Sequence, residues 1–253
     1  MRAVARRAVV SAASTVLVGI FATTGCGRAA HAGDGSGESE HAARDKAAYT
    51  AVGQLPERLA PDGTTVVVGS PAARTTVRLY EDMRCPVCEE YEVEGGGAAL
   101  RTLALSGEVK TEYTLASFLD DRVGGGGSKR AANALRAALE QGKFIEYHDV
   151  LFANQPEEVV DGYTDAFLLD MASRVKVLRG TEFDRAVRTM KYRAFVSASQ
   201  AAYERDGALG TPTFAVNGDV VPDHLRGAMF EENLLPVAVE MLASGVTPPP
   251  EGV

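Results

Sequence analysis

The sequence predicts an α/β domain in which an all-helical block interrupts a strand-rich frame. Three observations carry this. Short β-branched runs occupy residues 64–81, and a cleanly alternating run occupies 109–115. From Ser128 to about Arg205 the apolar residues fall on the helical period of about 3.6. The strand pattern returns at 210–221 around Asn217-Gly218, the strongest short hairpin signal. At 253 residues the chain is long enough for one or two domains and a full core.

The N-terminus reads as an address. Arg2, Arg6 and Arg7 precede the small and apolar stretch 8–22, and no acid occurs before Asp34. A basic start followed by about 15 apolar residues fits a secretory signal, since a spanning helix needs about 20. The stretch ends at Thr23-Thr24-Gly25-Cys26, which resembles the lipobox of bacterial lipoproteins, although Thr23 stands where Leu is usual. That resemblance implies a signal peptide over 1–25 and a lipidated Cys26; an ordinary signal with a chance cysteine and an uncleaved anchor are the alternatives. Gly27–Thr50 is rich in Gly, Ala, Ser and charge, so residues 26–54 read as a flexible tether. His31 and His41 lie in it as spacer residues.

The folded domain is expected over 55–245. Thr64–Val68 is a strand ended by the turn Gly69-Ser70-Pro71, and Thr75–Glu81 is a second strand. Asp82-Met83-Arg84-Cys85-Pro86-Val87-Cys88 follows. Proline is tolerated just inside a helix start, so Pro86 places Cys85 at a helix N-terminal edge. Gly95-Gly96-Gly97 breaks that helix before Ala98–Leu105 resumes it. In Val109–Leu115 the residues Val109, Thr111, Tyr113 and Leu115 share one face. Gly124–Gly127 is a loop without phosphate-loop spacing, and Ser128 is the expected N-cap of the helical block at about 128–205.

Within that block Ala131, Leu135 and Leu139 mark one helix, and Phe144, Tyr147 and Leu151 a second. Phe167, Met171 and Val175 mark a third. Phe183, Val187 and Met190 follow Thr181 as N-cap, and Tyr192–Tyr203 is a further helix. His148 reads as a packed or surface residue. Leu234–Leu242 closes the domain with Leu234, Ala238, Met241 and Leu242 inward, leaving 246–253 as a tail.

Composition narrows the function. The chain has 26 basic and 34 acidic residues, a formal charge of −8, and 45% hydrophobic residues. This suits a globular protein and argues against binding a phosphate backbone. A secreted hydrolase finds no Gly-x-Ser-x-Gly or His-Glu-x-x-His motif. The chemistry concentrates in Cys85 and Cys88. At a helix N-terminus Cys85 meets unpaired backbone N–H groups, which favour thiolate, the attacking and the leaving species in disulfide exchange. Cys88, one turn inside, is the resolving thiol. Arg84 is expected to support the thiolate and Glu89, Glu90, Glu92 and Glu94 to oppose it. Tetrahedral zinc needs two further ligands, and His148 and His224 stand apart in sequence, so no metal is expected. A structural disulfide across so short a ring constrains little chain entropy.

Strand–Cys-Pro-Val-Cys–helix, a helical insertion, then Gly210-Thr211-Pro212-Thr213-Phe214 before Asn217-Gly218 resembles the DsbA-like thioredoxin-fold proteins, over about 64–243. The resemblance implies a thioredoxin-like fold with an all-helical insertion and a cis-proline, Pro212, opposite the cysteine pair. It implies an extracytoplasmic thiol–disulfide oxidoreductase without organic cofactor or metal. In that reading Cys85 and Cys88 are catalytic, Pro86 and Val87 form the active-site loop, and Thr211 and Pro212 dock substrate. Its partners are exported protein thiols or disulfides, a membrane redox partner that recycles the pair, and the membrane through the lipid anchor, with no nucleic acid. Two departures stand out. The well-known oxidases carry His where this chain has Val87, which predicts a less oxidising couple. Thioredoxins carry a buried acid where this chain has Leu79; Glu81 and Asp82 are relay candidates, but acids before a turn are expected to be solvated. The competing functions are a reductase for apocytochrome or other exported thiols, and a redox-inactive binding lipoprotein.

Overall fold

The computed structural model describes residues 48–247. The signal peptide, Cys26, His31, His41, most of the expected tether and the end of the tail lie outside the described residues. Among those described, no helix is long and apolar enough to cross a membrane.

Six strands form one sheet: β1 (Glu57–Leu59), β2 (Thr65–Gly69), β3 (Thr75–Asp82), β4 (Val109–Ala116), β5 (Thr213–Val216) and β6 (Asp219–Val220). Their spatial order is β1-β2-β4-β3-β5-β6. The pair β3–β4 is parallel, in register from Thr75–Val109 to Asp82–Ala116, and every other pairing is antiparallel. A parallel pair needs a crossover. It is supplied by α1 (Pro86–Glu89), a π-helical turn (Glu90–Glu94) and α2 (Gly97–Ser106). β2 is buried along its whole length, as an interior strand with a continuous apolar run should be. Asn217 (φ 53°) and Gly218 (φ 98°) adopt the left-handed conformations that a tight β5–β6 hairpin requires.

The helical insertion between β4 and β5 holds α3 (Leu119–Val123), α4 (Gly127–Leu139), α5 (Phe144–Phe152), α6 (Asp165–Ser173), α7 (Thr181–Arg188) and α8 (Arg193–Arg205). α9 (Asp223–Phe230) and α10 (Leu235–Ala243) complete the chain. One principal core runs from sheet to insertion and includes Leu79, Tyr113, Phe144, Phe152, Phe214 and both Cys85 and Cys88.

Several local expectations are corrected. Ser128 does not cap α4: the helix begins at Gly127, and the carboxylate of Asp120 accepts from the Ser128 and Lys129 N–H groups at 2.9 and 3.0 Å. Ser128 Oγ instead donates to Asp82 Oδ1 at 2.6 Å. Thr181 is the first helical residue of α7, after Gly180, with no side-chain cap, because Asp184 is engaged by Arg179 at 2.7 Å. Leu234 precedes α10 and is largely exposed; Leu235, Ala238 and Val239 face inward. Residues before 55 also pack on the domain. Tyr49 N–H donates to Leu105 O at 2.9 Å, and Tyr49 and Val52 pack on the core. The helix break at 95–97 is sterically required: a Cβ on Gly96 would lie 2.0 Å from the Met229 carbonyl oxygen, so only glycine lets α9 approach.

Candidate active site

The sheet register builds the site. β3 and β5 pair antiparallel from Val77–Val216 to Tyr80–Thr213, so the chain leaving β3 lies beside the chain entering β5. Cys85 follows the end of β3, and Thr211-Pro212 precedes β5. The Thr211–Pro212 bond is cis, and Cys85 Sγ lies 3.3 Å from the Thr211 carbonyl oxygen. Arg226 on α9 holds the same loop by donating to Pro212 O at 3.0 Å. The structure thus brings Cys85 against Thr211-Pro212, 126 positions on, and adds Arg226, which the sequence reading did not single out.

Cys85 is the N-cap residue of α1 with Pro86 at the first helical position, and its carbonyl accepts from the Cys88 and Glu89 N–H groups, both at 3.1 Å. Both cysteines are free thiols, and both are buried. Their environments differ. Hydrogen bonding from Cys88 lowers the Cys85 pKa to about 6; burial works against this, and the Thr211 side chain with the Cys88 and Val87 backbone N–H groups reinforces it. The Thr211 hydroxyl has no other partner, so it is available to donate once the thiol has ionised. Burial, the Cys85 sulfur and the charge of Glu81 push the Cys88 thiol well above its ordinary value. One sulfur is poised as nucleophile and leaving group, and the other as a thiol that needs a base.

Arg84 does not serve the thiolate. Its buried guanidinium donates to Asp120 Oδ1 at 3.0 Å and to the carbonyls of Gly124 and Glu158, both at 2.7 Å. It ties the cysteine turn to the insertion, as does Gln155, whose Nε2 donates to Met83 O and Cys85 O at 2.9 and 3.0 Å. Glu90 and Glu94 are exposed to solvent and Glu89 is half-buried. Glu92 is buried and paired with Arg101 at 2.6 Å. Val87 is 42% exposed at the mouth of the site.

The largest departure is below the cysteines. Glu81 and Asp82 are buried, not solvated, while Leu79 packs in the core. Asp82 accepts from Ser128 Oγ, Arg84 N–H and Leu119 N–H, yet burial still raises its pKa to about 6. His148 is neither a surface residue nor an isolated one. Its Nε2 lies 3.0 Å from Glu81 Oε2, and the ring packs among Tyr113, Phe144 and Phe152. Burial alone would lower its pKa, but the charge of Glu81, its hydrogen bond to Glu81 and the nearby Asp149 and Glu92 carboxylates outweigh this and raise it to about 10. Burial and the neighbouring Glu81 push the Glu92 carboxyl up. Glu81, Glu92 and His148 bring ligand atoms within 4.8 Å of one another. Two carboxylates facing His148 and Arg101 already balance in charge, so the cluster closes as an ion network. The π turn makes this possible by turning Tyr91 and Glu92 inward, and an isolated sequence carries no signal for it.

The thioredoxin family model matches residues 61–234, more than half of the chain. The chain belongs to the thioredoxin family. Among curated relatives, Na(+)/H(+) antiporter NhaA 3 from Salinispora tropica is 32% identical over 161 residues, covering 60% of this chain. The chain spans only 21% of that relative's length. Disulfide bond formation protein D from Bacillus subtilis is 24% identical over 157 residues, covering 61% of this chain and 68% of that protein. Two thioredoxin-fold structures are also similar. The reduced form of the disulfide bond oxidoreductase DsbG from Mycobacterium tuberculosis is 25% identical with a TM-score of 0.53, covering 68% of this chain and 81% of that one. BdbD from Bacillus subtilis is 20% identical with a TM-score of 0.61, covering 74% and 97%. The mixed sheet with its helical insertion is thus the DsbA-like form of the thioredoxin fold.

Proposed function

We propose that the chain is an extracytoplasmic thiol–disulfide oxidoreductase that exchanges disulfides with exported proteins. The observation that supports this best is the asymmetry of the pair: a Cys85 sulfur lowered to about 6 against Thr211 and the cis-proline loop, and a buried Cys88 held as thiol. In the oxidising direction a substrate thiolate attacks Cys85 Sγ of the disulfide. A substrate–Cys85 bond forms, and the Cys85–Cys88 bond breaks with the electron pair leaving on Cys88, which takes up a proton. A second substrate thiolate then attacks the substrate sulfur and releases Cys85 as a stabilised thiolate. The substrate gains a disulfide, and the enzyme pair gains two electrons and is reoxidised by a membrane redox partner. The chemistry calls for no metal or organic cofactor.

Substrate docks at the cysteine mouth. Pro212 offers no N–H, and Thr211 leaves its backbone to an extended segment. Val87 and Leu209 are exposed, as are Val159 and Val160 on the loop that Gln155 and Arg84 hold to the site. In the cell a signal over 1–25 and a lipidated Cys26 would tether the domain outside the membrane, in keeping with the basic, apolar start of the sequence.

The test is refolding of a reduced disulfide protein, and reduction of insulin, by the full chain. Cys85→Ala is expected to abolish exchange, and Cys88→Ala to accumulate mixed disulfides with its substrates on intact cells. Exchange that persists without Cys85 would overturn the reading and favour a binding role. The reduction potential decides the direction; a value near those of His-containing oxidases would contradict the effect assigned to Val87.

A further inference from the structure

His148 has an acid on each side. Its Nε2 lies 3.0 Å from Glu81 Oε2, and its Nδ1 lies 3.8 Å from Asp149 Oδ1, too long for a settled hydrogen bond. Glu81 Oε1, His148 Nδ1 and Asp149 Oδ1 are all buried and make no hydrogen bond, although Arg101 stands 3.4 Å from Asp149 Oδ1. Buried polar atoms are nearly always paired, and a row of three that are not calls for an explanation. Glu81 and His148 are wholly inaccessible, whereas the Asp149 side chain is 31% exposed. Glu81 is close enough to Cys88 for its charge to raise that thiol, so the row leads from the buried thiol to the partly exposed side chain of Asp149 on α5.

We propose that Glu81, His148 and Asp149 form a proton route between the buried Cys88 and solvent, with His148 and Asp149 acting through Glu81 as positioning residues for the resolving step. The proposal rests on the reading of Cys88 as the resolving thiol. In that step the Cys88 thiol gives its proton to Glu81. The Cys88 sulfur attacks Cys85 Sγ of the mixed disulfide, the Cys85–Cys88 bond forms, and the substrate–Cys85 bond breaks with the electron pair leaving on the substrate thiolate. As Glu81 takes that proton, the His148 imidazolium gives its Nδ1 proton to Asp149 and on to water, so one proton leaves for the one taken up, and Glu81 and His148 are left neutral and still joined through Nε2–H. When Cys88 leaves as thiolate, the protons move the other way.

An imidazole suits this place because one nitrogen keeps its proton toward Glu81 while the other gains or loses one. The rings of Tyr113, Phe144 and Phe152 pack against it on β4 and α5. The other ionisable groups facing the cluster are Tyr91 and Glu92 on the π turn, Tyr113 on β4, and Arg101 on α2, which pairs with Glu92 at 2.6 Å and Asp149 at 3.4 Å. Arg101 cannot carry the proton, since guanidinium stays charged. Glu92 leads only to Arg101 among the ion pairs, so it offers no exit.

The experiment is the reaction of the reduced full chain with an aromatic disulfide, 5,5′-dithiobis(2-nitrobenzoate). The first nitrothiobenzoate released reports attack by Cys85, and the second reports resolution by Cys88. In His148→Gln, which keeps a donor to Glu81 but has no second ring nitrogen, and in Asp149→Asn, the first phase is expected to stay within about twofold. The second is expected to slow at least about tenfold near pH 7 and to recover as pH rises and hydroxide takes the proton. Asp149 is partly exposed and its change to Asn is isosteric, so that variant carries the test even if the His148 variant fails to fold. A second phase that keeps its wild-type rate and pH profile in Asp149→Asn overturns the route. A wild type that shows both phases but exchanges no disulfide with proteins removes the substrate reading and leaves the route standing.

Discussion

At position 85 the thiol meets donors, and at position 88 it meets burial and negative charge; the same side chain acquires opposite chemistry three residues apart. Alkylation of the reduced protein by iodoacetamide should titrate at Cys85 with a midpoint near pH 6, against about 8.5 for a free cysteine. Thr211→Val removes a hydroxyl that supports the thiolate and should move the midpoint upward; an unmoved midpoint would assign the effect to Cys88 and the backbone alone. The half of this site contained in residues 82–88 is legible in the sequence, because proline inside a helix start fixes where Cys85 sits. The other half is not. Thr211 approaches from 126 residues away, and only the family resemblance pointed to it. Arg84 was misread for the same reason: its acceptor Asp120 lies 36 residues on, and nearness in sequence to Cys85 says nothing about where a long side chain ends.

Elements here are stopped and joined by distant groups more than by their own caps. The N-terminus of α4 is satisfied by Asp120, and that of α5 by Glu57 on β1, whose carboxylate accepts from Phe144 and Ile145 N–H at 2.8 and 2.9 Å. Local cap signals such as Ser128 therefore mislead, while helix periods such as Ala131, Leu135 and Leu139 hold, since burial against the core enforces them. The turn between β3 and α1 depends on Arg84, which fastens it to α3, to the loop before α4 and to the loop before α6. Arg84→Ala leaves Asp120 without its buried counter-ion and strips two carbonyls of their donor. A loss of about 3–5 kcal/mol is expected in urea denaturation, the usual cost of breaking one side of a buried pair. Cys85 alkylation should keep its midpoint wherever the variant remains folded. A large upward shift would return Arg84 to the role of thiolate support.

Across the molecule, sheet, crossover and insertion meet at a buried cluster: Glu81 is the last residue but one of β3, Glu92 sits on the π turn, and His148 comes from α5. No stretch of sequence reveals it: Glu81 stands out as a relay candidate, but nothing in the sequence joins it to Glu92 or His148. The cluster makes stability depend on pH in a particular direction. His148 has a folded pKa of about 10, above its ordinary 6.5, so its contribution is complete below about pH 6.5 and is lost as pH rises through 10. Asp82, raised from 3.8 to about 6, contributes fully below about 3.8 and loses that contribution as pH passes 6. Both groups favour the acid side. Asp62, Asp161 and Asp184, whose pKa values are lowered, contribute above about 3.8 and lose that contribution as pH falls further. The oxidised protein, in which Cys85 and Cys88 are joined and no longer titrate, should therefore be most stable in mildly acidic solution and weaken from pH 7 to 10. Urea midpoints at pH 5, 7 and 9.5 check this, with His148→Gln as the comparison: the variant should be less stable at pH 7 and show a flatter alkaline limb. Parallel profiles in the two proteins would mean that the imidazole is buried uncharged, and that Glu81 finds its counter-charge elsewhere in the fold.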